Sequence, residues 1–212
     1  DSLVSDSTDI PLFYPRLRVE HLFRYGKYRW EFIDLVGDST YYHDYYNLTL
    51  RGYTDTVLYE DNWKEISNEF SLYQFPDAKN LYQFVKAGIV FQNLKATTSQ
   101  ISKSFYNVIL QGEYRNRTRN KQWDLMAAGK LYLNGLNAGD YQVIAELKRF
   151  AGKRGGYVDL GFRNTNRTPS FAFDSRSIFY LGTVKDFNKE NITQLTASLF
   201  QPRLQLRLSG NY

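Results

Sequence analysis

Hydrophobic and polar residues alternate with a period of two through most of this chain. In 105–115, Tyr106, Val108, Leu110, Gly112 and Tyr114 share one face, and Asn107, Ile109, Gln111, Glu113 and Arg115 share the other. In 122–134, Trp123, Leu125, Ala127, Gly129, Leu131 and Leu133 oppose Gln122, Asp124, Met126, Ala128, Lys130, Tyr132 and Asn134. The segments 194–199 and 203–212 repeat the pattern, the latter setting Leu204, Leu206, Leu208 and Tyr212 against Arg203, Gln205 and Arg207. Side chains leave a strand on alternate faces, so this periodicity predicts β-strands and excludes amphipathic helices. Weaker alternation over 16–33, 63–75, 80–95, 141–149 and 156–165 brings the strand count to nine. In 16–33 the phase slips: Leu17, Val19, Phe23 and Tyr25 hold one face, then Tyr28, Trp30 and Phe32 take over. A bulge or tight turn at Gly26 is expected there, and a turn would make ten strands.

The connections sort by length. Numbered in order, the odd ones include the long segments 34–62 and 166–189, whereas 76–79, 117–120, 150–155 and 201–202 are all short. In an up-and-down meander these two sets lie at opposite ends of the sheet. Long loops at one end and tight turns at the other characterise outer-membrane barrels. Several strands also reach the ~9–11 residues that a tilted strand needs to cross a bilayer. The expected fold is therefore all-β, an antiparallel up-and-down transmembrane β-barrel, here an incomplete portion of about nine to ten strands. Residues 1–15 are Ser/Asp-rich and read as a flexible N-terminal arm; 16–212 supply the barrel strands, with truncation expected at the C-terminal end. That expectation rests on the odd strand count and on alternation that continues to Tyr212.

Each face has its own composition. Tyr106, Val108, Leu110, Trp123, Leu125, Leu131, Leu133, Leu204, Leu206 and Leu208 are the lipid-facing candidates, with Tyr or Trp near the strand ends as in an aromatic girdle. Arg18, Arg24, Lys86, Glu113, Arg115, Asp124, Lys130, Glu146, Lys148, Arg203 and Arg207 are the pore-lining candidates. Their basic bias favours passage of small anionic solutes. The competing reading is a soluble all-β glycan-binding module with one solvated face.

Composition narrows the classes further. Of 212 residues, 17% are aromatic, which is foreign to disorder. No stretch approaches the ~18 apolar residues of a spanning helix. With no cysteine, disulfides, thiolate metal sites and cysteine nucleophiles are excluded. A net charge of +5 is too mild to imply nucleic acid.

Three stretches carry a resemblance: RLRVEHLFRYGKYRWEF (16–32), NVILQGEYRNRTRNKQWDLMAAGKLYLNGLNAGDYQVIAELKR (107–149) and FNKENITQLTASLFQPRLQLRLSGNY (187–212). They resemble the putative β-barrel porin family of Bacteroidota outer membranes, in strand-and-turn texture over most of 16–212. The resemblance implies location in the bacterial cell outer membrane, contact with outer-membrane lipid, and a role in passing small solutes or as a barrel subunit alongside other envelope proteins. It implies no enzyme, no catalytic residue and no cofactor.

The remaining chemistry is sparse. His21 shares the face of Leu17 and Val19, and a hydrolase would need a serine beside it, Ser67 or Ser71 being the candidates within reach. An interfacial histidine is the simpler reading. His43 with Asp38 and Asp44 lacks a calcium-loop pattern and reads as a solvated loop. Gly152, Gly155 and Gly156 precede a strand rather than a helix, so they form a turn and not a phosphate loop. The basic run RNRTRNK (115–121) spans a tight connection, where lipid headgroups or acidic groups serve as counterions. The sequons at Asn47, Asn116, Asn166 and Asn191 carry no weight in a bacterial barrel.

Overall fold

The computed structural model describes residues 16–35, 40, 44, 57–77, 79–98, 102–170 and 187–212. The proposed arm, 1–15, lies outside them. Nine strands form one sheet in sequence order: β1 (Leu17–Asp34), β2 (Val57–Gln74), β3 (Gln83–Thr98), β4 (Ser102–Arg117), β5 (Trp123–Gly135), β6 (Tyr141–Phe150), β7 (Tyr157–Arg167), β8 (Glu190–Gln201) and β9 (Leu206–Asn211). Every neighbouring pair is antiparallel. This is the up-and-down arrangement expected of a β-barrel wall.

Two expectations about the strands are corrected. β1 runs straight through Gly26, which pairs with Glu65 in an unbroken register, so there is neither bulge nor turn at that point. The slip in hydrophobic phase has another cause. β1 has 18 residues, and at roughly 3.3 Å each that is about 60 Å, longer than a bilayer core even when tilted. Past Tyr25 the register continues, but the apolar side gives way to Lys27, Arg29 and Glu31. The register shifts instead between β4 and β5, where Val108 meets Asn134, Ile109 meets Tyr132, and Leu133 is the extra residue of a bulge. The second correction concerns the last strand. β9 begins at Leu206, and 202–205 form the turn after β8, so Arg203 and Leu204 are turn residues.

Directly paired residues share a face, so the register assigns sides across the whole sheet. One row runs Leu17, Gln74, Val85, Tyr114, Ala127, Ala145, Phe162 and Leu195. The neighbouring row on the other face runs Arg18, Tyr73, Lys86, Glu113, Ala128, Ile144, Arg163 and Gln194. Burial is inverted relative to a water-soluble sheet. Val19 is 78% exposed, Phe23 58% and Leu208 57%, all on the apolar face. Ser67, Glu69, Ser71 and Asn107, all on the polar face, are buried. Apolar area left open at this scale needs an apolar environment.

β2 runs to β3, β4 to β5, β6 to β7 and β8 to β9 at one end of the sheet, and a second set of connections leaves the other end after Asp34, Thr98, Gly135 and Arg167. The length asymmetry therefore resides in the first and last connections of the second set. β1 and β9 are the two outer strands of the sheet.

Candidate functional site

The polar face is the chemically rich one, and its densest part lies on β1–β4. Glu69 is the hub. Lys86 Nζ donates to its Oε1 at 2.6 Å, Ser71 Oγ donates to the same oxygen at 3.0 Å, and an Arg24 guanidinium nitrogen lies 3.8 Å from Oε2. Gly88, directly beside Ser71 in the register, keeps this cluster open, because a Cβ there would fall 2.5 Å from Ser71 Oγ and 3.2 Å from Gln111 Nε2. Next to the hub, Arg18 and Lys86 each sit 5.3 Å from the centre of the Tyr73 ring. The Tyr73 hydroxyl donates to Glu20, which also pairs with Arg18.

A second chain of contacts climbs from the wall to the long-loop rim. Gln92 donates to Glu65 (2.8 Å), Asn107 donates to Gln92 (2.8 Å) and to Asn137 (3.0 Å), and the Asn137 amide donates to Asp140 (3.3 Å). Asp140 is buried and also accepts from the backbone and hydroxyl of Thr168 and from Lys189. The roots of the last long connection are thus tied to the 136–140 turn.

On β4–β9 the polar face is less interlocked. Arg115 lies 3.5 Å from Asp124, Lys148 lies 3.9 Å from Glu146, and Ser198 donates to Asp159 at 3.3 Å. Lys130 and Arg163 make no ion pair among the described residues.

All the pore-lining candidates except Arg203 fall on this face. Of the lipid-facing candidates, all but Leu204 fall on strands, and the register puts them on the apolar side, except Leu133, which is the unpaired residue of the β5 bulge. Sequence reasoning missed acids of the polar face, namely Glu20, Asp34, Asp61, Glu65, Glu69, Asp159 and Glu190, along with the bases Lys103, Arg117, Arg163 and Arg167. With β1 read as continuous, Glu20 and Arg24 would have appeared on one face at even spacing, and β2 paired to it would have exposed Glu65 and Glu69. The polar face of the described strands then carries eleven bases and ten acids, so the basic bias of the candidate set largely disappears.

His21 lies on the apolar face, stacked on Phe70 with ring centres 4.4 Å apart, its Nε2 3.3 Å from Asn68 Oδ1. Ser67 and Ser71 project from the opposite face, so neither can act as a nucleophile with it. Asp38 and His43 lie outside the described residues, among which no group of His, Asp and Glu is placed to hold a metal. Gly152–Gly155 form a single helical turn between two strands, as a turn reading requires. The basic run 115–121 finds its counterions within the chain: Arg115 meets Asp124, Arg119 pairs with Asp77 in the adjacent turn at 2.5 Å, and Arg117 covers the Tyr82 ring at 5.6 Å.

Outside the strands, Asp77 is held below the ordinary aspartate range by the backbone N–H of Lys79, reinforced by Arg119.

A family model described as "Putative porin" matches residues 8–212. No curated protein and no solved structure matches the chain.

Proposed function

The chain belongs to the putative porin family, and from that premise we propose that its polar face lines an aqueous passage for small solutes while its apolar face meets outer-membrane lipid. A porin-like outer-membrane β-barrel is the family's architecture, and the strands here have its up-and-down form. One observation carries the reading: the sheet exposes its apolar side and crowds its polar side. A soluble glycan-binding sheet would need the reverse. The charge-balanced wall supports weak ion selectivity rather than a strong anion filter, because paired acids and bases cancel each other's field. The proposed role is passage.

We further propose that these nine strands are part of a larger closed wall, since β1 and β9 would otherwise present unpaired N–H and C=O groups to hydrocarbon. The test of passage is conductance of the purified full-length protein in a planar bilayer under a salt gradient. Stepwise channels with a reversal potential near zero are expected. Absence of conductance would overturn the passage reading and leave a structural barrel.

A further inference from the structure

At the short-turn end of the polar face, one row of paired positions is aromatic. Phe150 pairs with Tyr157, Tyr157 with Phe200, and Phe200 with Arg207, in an unbroken line across β6, β7, β8 and β9. The ring centres are 4.8 Å apart for Phe150–Tyr157 and 6.3 Å apart for Tyr157–Phe200, and the Arg207 guanidinium carbon lies 5.4 Å from the Phe200 ring centre. Tyr157 is 45% exposed. This row is on the wrong face for a lipid girdle, because its strand neighbours two positions away are Lys148, Asp159, Ser198 and Ser209.

The turns beside the row add charge of one sign. Segment 151–156 contains Arg154 and segment 202–205 contains Arg203, and neither segment contains an acid. Gly156 lets the first turn lie against β8: its φ is +76°, and a Cβ there would fall 2.2 Å from the Phe200 carbonyl oxygen. Gln201 in turn donates its amide to the Arg154 carbonyl. Arg154, Arg203 and Arg207 pair with no carboxylate among the described residues. Elsewhere on the same face Arg18, Arg24 and Arg115 each meet one.

We propose that this row is a binding subsite for ring-shaped anionic solutes, specifically sugars bearing carboxylates. An exposed aromatic face packs against the C–H face of a pyranose, while an unpaired guanidinium takes a carboxylate through two parallel hydrogen bonds. A row of rings with a cation at its end fits an acidic sugar better than it fits a neutral sugar, which leaves the guanidinium idle, or an acyclic anion, which leaves the rings idle. The subsite rests on the passage reading for its biological sense, but its occupancy does not require conduction.

Calorimetric titration of the detergent-solubilised full-length protein tests it, with digalacturonate, cellobiose and citrate as probes. Digalacturonate is expected to bind at least about tenfold more tightly than either control, and to lose about tenfold in Arg207→Gln, where one charge-assisted contact goes. Phe200→Leu keeps an apolar side chain but removes the ring, and is expected to weaken digalacturonate severalfold without affecting citrate. Equal binding of cellobiose would overturn the role of charge, equal binding of citrate would overturn the role of the rings, and unchanged affinity in both variants would overturn the site. Arg207 is exposed at the outer strand, so that variant should fold normally, and circular dichroism checks it. Bilayer conductance of the same preparation reports separately on passage, so failure of one reading is distinguishable from failure of the other.

Discussion

Leu131 and Lys130 are adjacent in β5 yet project into opposite environments. Leu131 belongs to the exposed apolar face, paired with Leu110 and Tyr141, whereas Lys130 lies with Gln111 and Gln142 on the polar one. Leu131→Arg is expected to destabilise the folded protein in lipid by about 2–4 kcal/mol if near the midplane, and Lys130→Ala by far less. Urea unfolding in lipid vesicles measures both, and equal tolerance would break the assignment of faces. Glu69 makes a sharper case, because three groups converge on one carboxylate that is only 7% exposed. Glu69→Ala leaves Lys86 without its 2.6 Å partner, at a cost of about 1–3 kcal/mol for charge-assisted hydrogen bonds left unmade. Glu69→Gln preserves the shape and removes the charge. It should therefore cost less stability while shifting the reversal potential toward anions, a separation that a purely packing role would not produce.

The strands themselves were legible because burial on one face only imposes alternation, and alternation survives wherever lipid lies on one side and water on the other. β4, β5 and β7 ended within a few residues of where the pattern put them. Legibility failed where that asymmetry of environment failed. β1 is longer than a bilayer crossing needs, and past Tyr25 its apolar side carries Lys27, Arg29 and Glu31, so its hydrophobic phase changes although its backbone does not, and the expected break at Gly26 is absent. β2 starts at Val57 rather than at Trp63 for the same reason: its first residues lie beside that same distal half of β1. Arg203 and Leu204 alternated in phase with β9 and were drawn into it, although 202–205 make a turn. Of the polar face, the strongly alternating strands yielded most of their charges, and the weakly alternating β1 and β2 concealed most of the acids. Side-chain pairing between connections was illegible, as in the clasp between adjacent short turns made by Asp77 and Arg119. That clasp has a pH signature. Asp77 is depressed by the Lys79 backbone N–H and by Arg119, so the unfolded chain takes up its proton at a higher pH than the folded one. Its contribution is complete above the ordinary aspartate value and is lost as pH falls through the depressed value. Asp77→Asn is expected to flatten that acid limb of the stability profile and leave neutral behaviour little changed. An unaltered acid limb would show that the clasp does not bear on stability.

Strand direction governs how the whole wall can close. β1 and β9 are both odd members of a meander, so both run from the short-turn end to the long-loop end. Joining them directly would require a parallel pair in a sheet that is otherwise antiparallel. A second copy inserted in the same orientation offers no remedy, because rotation about the membrane normal preserves strand direction and every available edge would still point the same way. The partner that completes the hydrogen bonds of β1 must run toward the short-turn end, and so must the partner of β9. An odd number of additional antiparallel strands between them satisfies both conditions and gives the even total of bacterial single-chain barrels. These 212 residues contain no cysteine, so among them only introduced thiols can pair. Phe23→Cys combined in turn with Leu208→Cys or Gly210→Cys places thiols on the apolar faces of the two outer strands. A disulfide needs Cα atoms within about 7 Å, a separation met by neighbouring strands and far exceeded when further strands intervene. In outer membranes under mild oxidation neither pair is expected to cross-link, whereas Leu17→Cys with Gln74→Cys, directly paired on β1 and β2, should do so readily. A bond between β1 and β9 would mean that these nine strands seal on themselves through a parallel seam, and the larger wall would have to be abandoned.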